Sequence, residues 1–115
     1  MTDVIGEAAK RARIRELNDQ LRKTFTGGVV VCSAGVAAIP DAARSSALQA
    51  VRAFNRFDDD NDPYGEQDFG EIFSGDQRFF FKIDYYDRAM AGGSADPSDT
   101  AVTTRVLTIM LAEEY

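Results

Sequence analysis

The chain has no histidine, no tryptophan and one cysteine, Cys32. Without histidine it lacks the commonest general base and zinc ligand, and every Ser-His or Cys-His nucleophile pair. A lone cysteine excludes an internal disulfide. Its place in the apolar run Val29-Val30-Val31-Cys32 predicts an inert core thiol. Phosphate-binding glycine loops are also missing: Gly27-Gly28 and Gly92-Gly93 are isolated pairs, without a following Lys-Ser/Thr or a spaced glycine repeat. These absences together point away from an enzyme. No stretch approaches the ~18 apolar residues of a membrane span. Asp3, Glu7 and Lys10 near the start, with no apolar core after them, do not read as a secretory signal. A cytoplasmic protein is expected.

Basic residues are missing from one long stretch. Between Asp58 and Asp76 stand Asp58, Asp59, Asp60, Asp62, Glu66, Asp68, Glu71 and Asp76, with no Lys or Arg. Tyr64, Phe69 and Phe73 lie among them. Residues 1–57 hold nine bases and five acids, a net +4; residues 58–115 hold four bases and fourteen acids, a net −10. The second half repels nucleic acid and attracts basic protein surfaces, including those that normally hold DNA or RNA.

At 115 residues the chain is expected to form a single domain, 1–115. A chain of this size buries roughly two-thirds of its unfolded surface. Ile14, Leu17, Leu21 and Phe25 form one apolar stripe and predict a helix over 5–25, ended by Thr26-Gly27-Gly28, with Asp3 and Glu7 suiting its dipole. The basic residues before the stripe (Lys10, Arg11, Arg13, Arg15) suggest fraying over 1–12; they read as a solvated face. Val29–Cys32 is a buried strand, broken by Ser33-Ala34-Gly35. Pro40-Asp41 opens a second helix, with Ala43, Ala47, Ala50, Val51 and Phe54 inward, stopping near Phe57.

Gly70–Phe73 and Arg78–Asp87 read as strands joined by the hairpin turn Ser74-Gly75-Asp76-Gln77. In the second strand Phe79, Phe81, Ile83 and Tyr85 take one face, and Arg78, Phe80, Lys82, Asp84 and Tyr86 the other. Residues 89–100 form a loop. Residues 103–112 are apolar on both faces and β-branched, which suits a central strand; a C-terminal helix stays open as the alternative. The result is an α+β domain in the order α-β-α-β-β-β. Its antiparallel sheet of about four strands carries two helices on one face. Were the last strand to lie at an edge, it could pair with its copy, so a homodimer is left open.

Three blocks are distinctive: Asn61-Asp62-Pro63-Tyr64-Gly65-Glu66-Gln67-Asp68-Phe69-Gly70, Phe79-Phe80-Phe81-Lys82-Ile83-Asp84-Tyr85-Tyr86-Asp87, and Thr103 through Tyr115. They resemble the bacterial family known as domain of unknown function 3768, over roughly Ile14 to Tyr115. The resemblance implies a small accessory protein of mobile DNA, of the kind that serves transfer, maintenance or evasion of host defence. It implies no catalytic residue, and none is assigned.

The acidic run admits three readings: a solvated loop, a cation site, or a docking surface. Counted from Asp60, an EF-hand-like loop would use Asp60, Asp62, Asp68 and Glu71, with Gly65 at its sixth position, and would take calcium or magnesium. Against it, Tyr64 offers only a main-chain carbonyl, Pro63 stiffens the turn, and a strand follows. Asp58 to Asp60 sit just past a helix C-terminus, the wrong end for negative charge, unless Arg52 and Arg56 offset them. The docking reading makes the carboxylates a nucleic-acid decoy that occupies a basic groove by charge matching. It uses Asp58, Asp59, Asp60, Asp62, Glu66, Asp68 and Glu71, with Asp84 and Asp87 at the strand end and Tyr64 and Phe69 as anchors. Asp84 and Asp87 fall on opposite faces of their strand and do not form a catalytic pair; a surface salt bridge with Lys82, or with Arg105 from the next strand, is expected there. The preferred reading is a non-enzymatic module that binds a basic nucleic-acid-binding protein, without direct contact to nucleic acid or membrane. An anti-CRISPR or anti-restriction inhibitor is one form of it. The alternative is a small divalent-metal domain or metal-dependent enzyme using the acidic loop 58–71.

Overall fold

A computed structural model describes residues 4–115. The elements are α1 (Val4–Thr24), β1 (Val29–Cys32), α2 (Ala34–Ala38), α3 (Asp41–Ala53), β2 (Phe69–Ser74), β3 (Gln77–Tyr86), β4 (Thr104–Leu111) and a closing 3-10 turn, Ala112–Glu114. The α+β class holds, with three helices. α2 forms where a strand break was expected, because Ser33 caps it: its hydroxyl accepts from Val36 N at 3.2 Å. The Glu114 carboxylate returns to the same end and accepts from Ser33 Oγ at 2.6 Å, Gly35 N at 3.0 Å and Leu111 N at 2.8 Å. Those bonds hold its pKa below the usual carboxylate value.

The sheet runs in the order β1-β4-β3-β2. β2, β3 and β4 are antiparallel, as expected, but β1 pairs parallel with β4, Val29 opposite Val106 and Cys32 opposite Ile109. The sheet is therefore mixed. The cause is the helical connection through α2 and α3, which carries the chain back to the end at which β1 began. β2 must then run the same way as β1, and β4 runs the same way as β2. β4 is a strand, and a central one, so the C-terminal helix is excluded. Self-pairing through an edge position of this strand is excluded with it. β1 and β2 are the edges.

Period two places Phe79, Phe81, Ile83, Leu107, Ile109 and Leu111 on one face, and all are buried. Leu21 from α1, Val36 from α2, and Ala47 and Val51 from α3 close that core. β1 is not the buried strand expected: as an edge strand it leaves Val29 and Val31 exposed and Val30 and Cys32 half-buried, so the thiol lies at the margin of the core rather than in it. Ala43, expected inward, is exposed on α3. Gly70 is required by close approach: a Cβ there would overlap the Phe81 ring. Gly75 takes φ 62°, which a two-residue hairpin with glycine first requires. The helix expected over 5–25 begins at Val4, so the stretch expected to fray is helical from there. Met1 to Asp3 lie outside the described residues.

Two arginines join the helices end to end. Arg22 of α1 is 1% exposed. Its Nη1 lies within hydrogen-bond distance of Val51 O (3.1 Å), Arg52 O (3.3 Å) and Phe54 O (2.6 Å), carbonyls at the end of α3 of which Val51 O also accepts from Phe54 N. Its guanidinium also lies 5.2 Å from the Phe57 ring centroid and 5.9 Å from that of Phe81. In return, Arg52 Nε of α3 donates to Lys23 O at the end of α1 (2.8 Å). Burial lowers the Arg22 pKa, while the neighbouring Asp19 raises it in part. Replacing Arg22 by Met removes the side-chain donor from these carbonyls and leaves Arg52 O and Phe54 O without it. We expect a loss of about 3 kcal/mol in urea unfolding. A midpoint within error of the natural chain would contradict the assignment.

Candidate functional site

The acidic stretch divides into three parts on the structure, with its last member, Asp76, exposed in the hairpin turn between β2 and β3. Asp58, Asp59 and Asp60 form the exposed turn that follows α3. The turn is built by side chains: Asp58 Oδ1 accepts from Asp60 N and Asn61 N (both 2.9 Å), and Asn61 Oδ1 accepts from Asp58 N (2.9 Å). Asn61 Nδ2 donates to Arg56 O (2.8 Å), which locks the base of the turn. None of these three carboxylates is in an ion pair among the described residues. Neither Arg52 nor Arg56 pairs with them; Arg22 binds the backbone carbonyls at the end of α3 and pairs with Asp19. Tyr64 stands beyond the turn, 69% exposed.

The second part, Asp62 to Asp68, is folded inward. Asp62 Oδ1 accepts from Gln67 N (3.0 Å), and Arg15 Nη1 of α1 donates to Gly65 O (3.1 Å). Behind it lies a buried polar chain. Asn18 of α1 is fully buried; its Nδ2 donates to Glu66 O (3.0 Å) and to Tyr85 Oη (2.8 Å). Tyr85 Oη donates to Glu66 Oε1 (2.7 Å). Asn18 Oδ1 accepts from Arg105 Nε (2.6 Å), and Arg105 also donates to Pro97 O and lies 5.0 Å from the Tyr85 ring centroid. Burial pushes the Tyr85 hydroxyl pKa strongly upward and lowers that of Arg105. Burial first, and then the Glu66 charge, raise that of Asp68. Glu66 and Asp68 are thus bound into the fold rather than displayed with the turn.

The third part lies on the sheet. Glu71 pairs with Arg78 (2.5 Å) and Asp84 with Lys82 (3.0 Å) on the face away from the helices. Phe69 stands there with Phe80 and Tyr115, ring centroids 5.2–5.7 Å apart. The Lys82–Asp84 bridge is the one expected. Arg105 does not join it, because it lies opposite Tyr85 in the register and so on the helix-covered face. Asp87 Oδ1 caps the next loop, accepting from Ala91 N (3.0 Å). Among the described residues no group of three or more His, Cys, Asp or Glu is placed to hold a metal ion. Asp60, Asp62, Asp68 and Glu71 are divided among the three parts.

Beside the exposed turn runs a groove of about 730 Å³. Its walls are the end of α3 (Ala53, Phe54), the segment after it (Arg56, Asp58, Asn61) and the edge strand β2 (Glu71, Phe73). Phe73 is 67% exposed. Two carboxylates, Asp58 and Glu71, and the cation of Arg56 line it, with Phe54, Ile72 and Phe73 among its apolar side chains.

Residues 32–114 match the family described as "Protein of unknown function (DUF3768)". The chain belongs to that family. The match runs from the last residue of β1 into the 3-10 turn, and so takes in α3, the acidic stretch and the groove, but not α1. No curated protein and no solved structure matches the chain. No helix among the described residues is long and apolar enough to cross a membrane.

The buried chain from Arg105 to Glu66 carries a pH dependence through Asp68. A carboxyl with a raised pKa in the folded state binds its proton more tightly there than in the unfolded chain. Stability therefore falls as pH rises from the ordinary Asp value through the folded one. Asp68→Asn removes that slope. The variant is expected to melt higher than the natural chain at neutral pH and to converge with it near pH ~4. A lower melting temperature at neutral pH would show that the charged form is the stabilising one.

Proposed function

We propose that the protein is a non-enzymatic binding module whose displayed acidic turn, Asp58-Asp59-Asp60, docks on the basic surface of a nucleic-acid-binding protein. The observation that carries this reading is the division of the acidic stretch. Asp62, Glu66 and Glu71 find internal partners and Asp68 is half-buried, while the three turn carboxylates stand exposed, without a cation, on a hydrogen-bonded platform beside a groove. Carboxylates held this way present negative charge at fixed spacing, which matches a surface built for phosphates and gives affinity that weakens with salt. The net −10 over residues 58–115 steers such encounters at longer range.

The specific form of the proposal is an accessory protein of mobile DNA that blocks a host defence nuclease, a CRISPR effector or a restriction enzyme, by holding its nucleic-acid groove. Tyr64, beside the turn, serves as an anchor. Glu66 and Asp68 contribute to the field but not to contact. The test is capture from the bacterial host with the natural chain and with the Asp58→Asn, Asp59→Asn, Asp60→Asn variant as baits. Asparagine keeps the Oδ1 acceptor that Asp58 uses in the turn, so the platform survives. A retained nucleic-acid-binding protein should bind the natural chain at least about tenfold more tightly, ~1.4 kcal/mol, and the difference should shrink as salt rises. Equal affinity for both baits would sink the proposal.

A further inference from the structure

The edge formed by β1 is uncharged and unpaired. Ser33 N donates to Ile109 O (2.9 Å), which sets the phase of the parallel ladder with β4, so the backbone N–H and C=O groups of Val30 and Cys32 point away from the sheet. Among the described residues those groups make no hydrogen bond. Val29 and Val31 stand on the face away from the helices, 46% and 41% exposed. No proline, bulge or charge blunts this edge; its four residues limit only the length of ladder it can add. β1 lies within the longest uncharged stretch of the chain, since no Asp, Glu, Lys or Arg occurs between Lys23 and Asp41.

We infer that a second copy of the chain occupies this edge, paired antiparallel through β1 about a two-fold axis at Val31. The register follows from the outward groups. With Val31 opposite its own copy, Val30 of one protomer exchanges both main-chain bonds with Cys32 of the other, and the outward groups of both strands are satisfied without remainder. The Val31 side chains then meet as a close, non-hydrogen-bonded pair, and Val29 falls opposite Ser33. Charge favours a copy at this place. Two chains of net charge −6 repel each other at range, and an uncharged strand is where they can meet without opposing like charges. Glu114 brings a carboxylate to the Ser33-Gly35 end of β1. Antiparallel pairing sets that end against the uncharged Thr26-Gly27-Gly28 of the other copy and not against its own Glu114. A charged segment of another protein finds no opposite charge on β1. Because β1 and β2 are opposite edges of the sheet, the dimer leaves the Asp58 turn of each copy free and makes the proposed docking bivalent, though the pairing does not depend on that docking.

The test is sedimentation equilibrium of the purified chain from ~10 μM to ~1 mM, with amide hydrogen exchange at both ends of the range. We expect a monomer–dimer equilibrium that strengthens with salt, as screening relieves the repulsion. The amides of Val30 and Cys32 should exchange more slowly at the higher concentration. Val31→Lys puts two ammonium groups together at the axis, from an exposed position, and should weaken the dimer by at least about tenfold. Phe73→Lys, on the opposite edge, should leave it intact. In a Cys32→Ser background, Val31→Cys should cross-link to its copy on oxidation with diamide, because directly opposed positions of this kind meet disulfide geometry; Val29→Cys should not. A chain that stays monomeric throughout the range overturns the pairing. A dimer that survives Val31→Lys, or that protects amides of β2 in place of Val30 and Cys32, overturns it by moving the contact to another surface. Cross-linking at Val29→Cys and not at Val31→Cys overturns the two-fold register.

Discussion

One buried cation organises this fold. The Arg22 guanidinium stands where α1, the end of α3 and the sheet meet, and it supplies the donors that the last turn of α3 lacks. A helix terminus buried without such donors is costly. Its rings on one side, Phe57 and Phe81, exclude water; Asp19 on the other balances part of the charge at 3.3 Å. Phe54, one of the residues whose carbonyl Arg22 holds, packs edge-on against both Phe57 and Phe81. The chain therefore leaves α3 in a fixed direction, and the turn at Asp58 starts from a defined point. Arg52 makes the reciprocal bond to the end of α1, so neither helix can shift alone.

The second buried cation fixes the other end of the same segment. Among the described residues Arg105 is in no ion pair; it is held by Asn18, by Pro97 O and by the Tyr85 ring. Asn18 then holds Glu66 O and Tyr85, and Tyr85 holds Glu66. The acidic segment is thus anchored at its start by Arg22 and at its end by Asn18. Only the turn between these anchors is free to carry charge outward. Three adjacent carboxylates without an ion-pair partner among the described residues repel one another.

Much of this architecture was legible in the sequence, and the failures have clear physical origins. The period-two alternation of Phe79 to Tyr85 placed the core face correctly, and apolar residues on both faces of Thr104–Leu111 marked a central strand. The direction of β1 was not legible, because four β-branched and small residues carry no information on which neighbour they pair with; the helical crossover decides it. The network through Arg22, Asn18 and Arg105 does not follow from residue type, only from position along the elements. The signal was present: Ile14, Asn18 and Arg22 share the four-residue spacing of the α1 stripe, and Arg105 shares the parity of Leu107, Ile109 and Leu111. Polar residues that fall on an apolar stripe are buried and must be satisfied there. The acidic run read as one surface because sequence proximity was taken for spatial equivalence; Glu66 and Asp68 turn inward two residues past the exposed Tyr64.

The central claim is that the charges of Asp58, Asp59 and Asp60 serve contact and not folding. Thermal unfolding of the natural chain and of the triple Asn variant, at low salt and without any partner, tests it most directly. The account predicts that neutralising the turn leaves stability unchanged or raises it by up to ~1 kcal/mol, through relief of repulsion, with the gap closing at high salt. A loss of more than about 2 kcal/mol would mean that the carboxylates are structural, and the turn would cease to be a candidate binding surface.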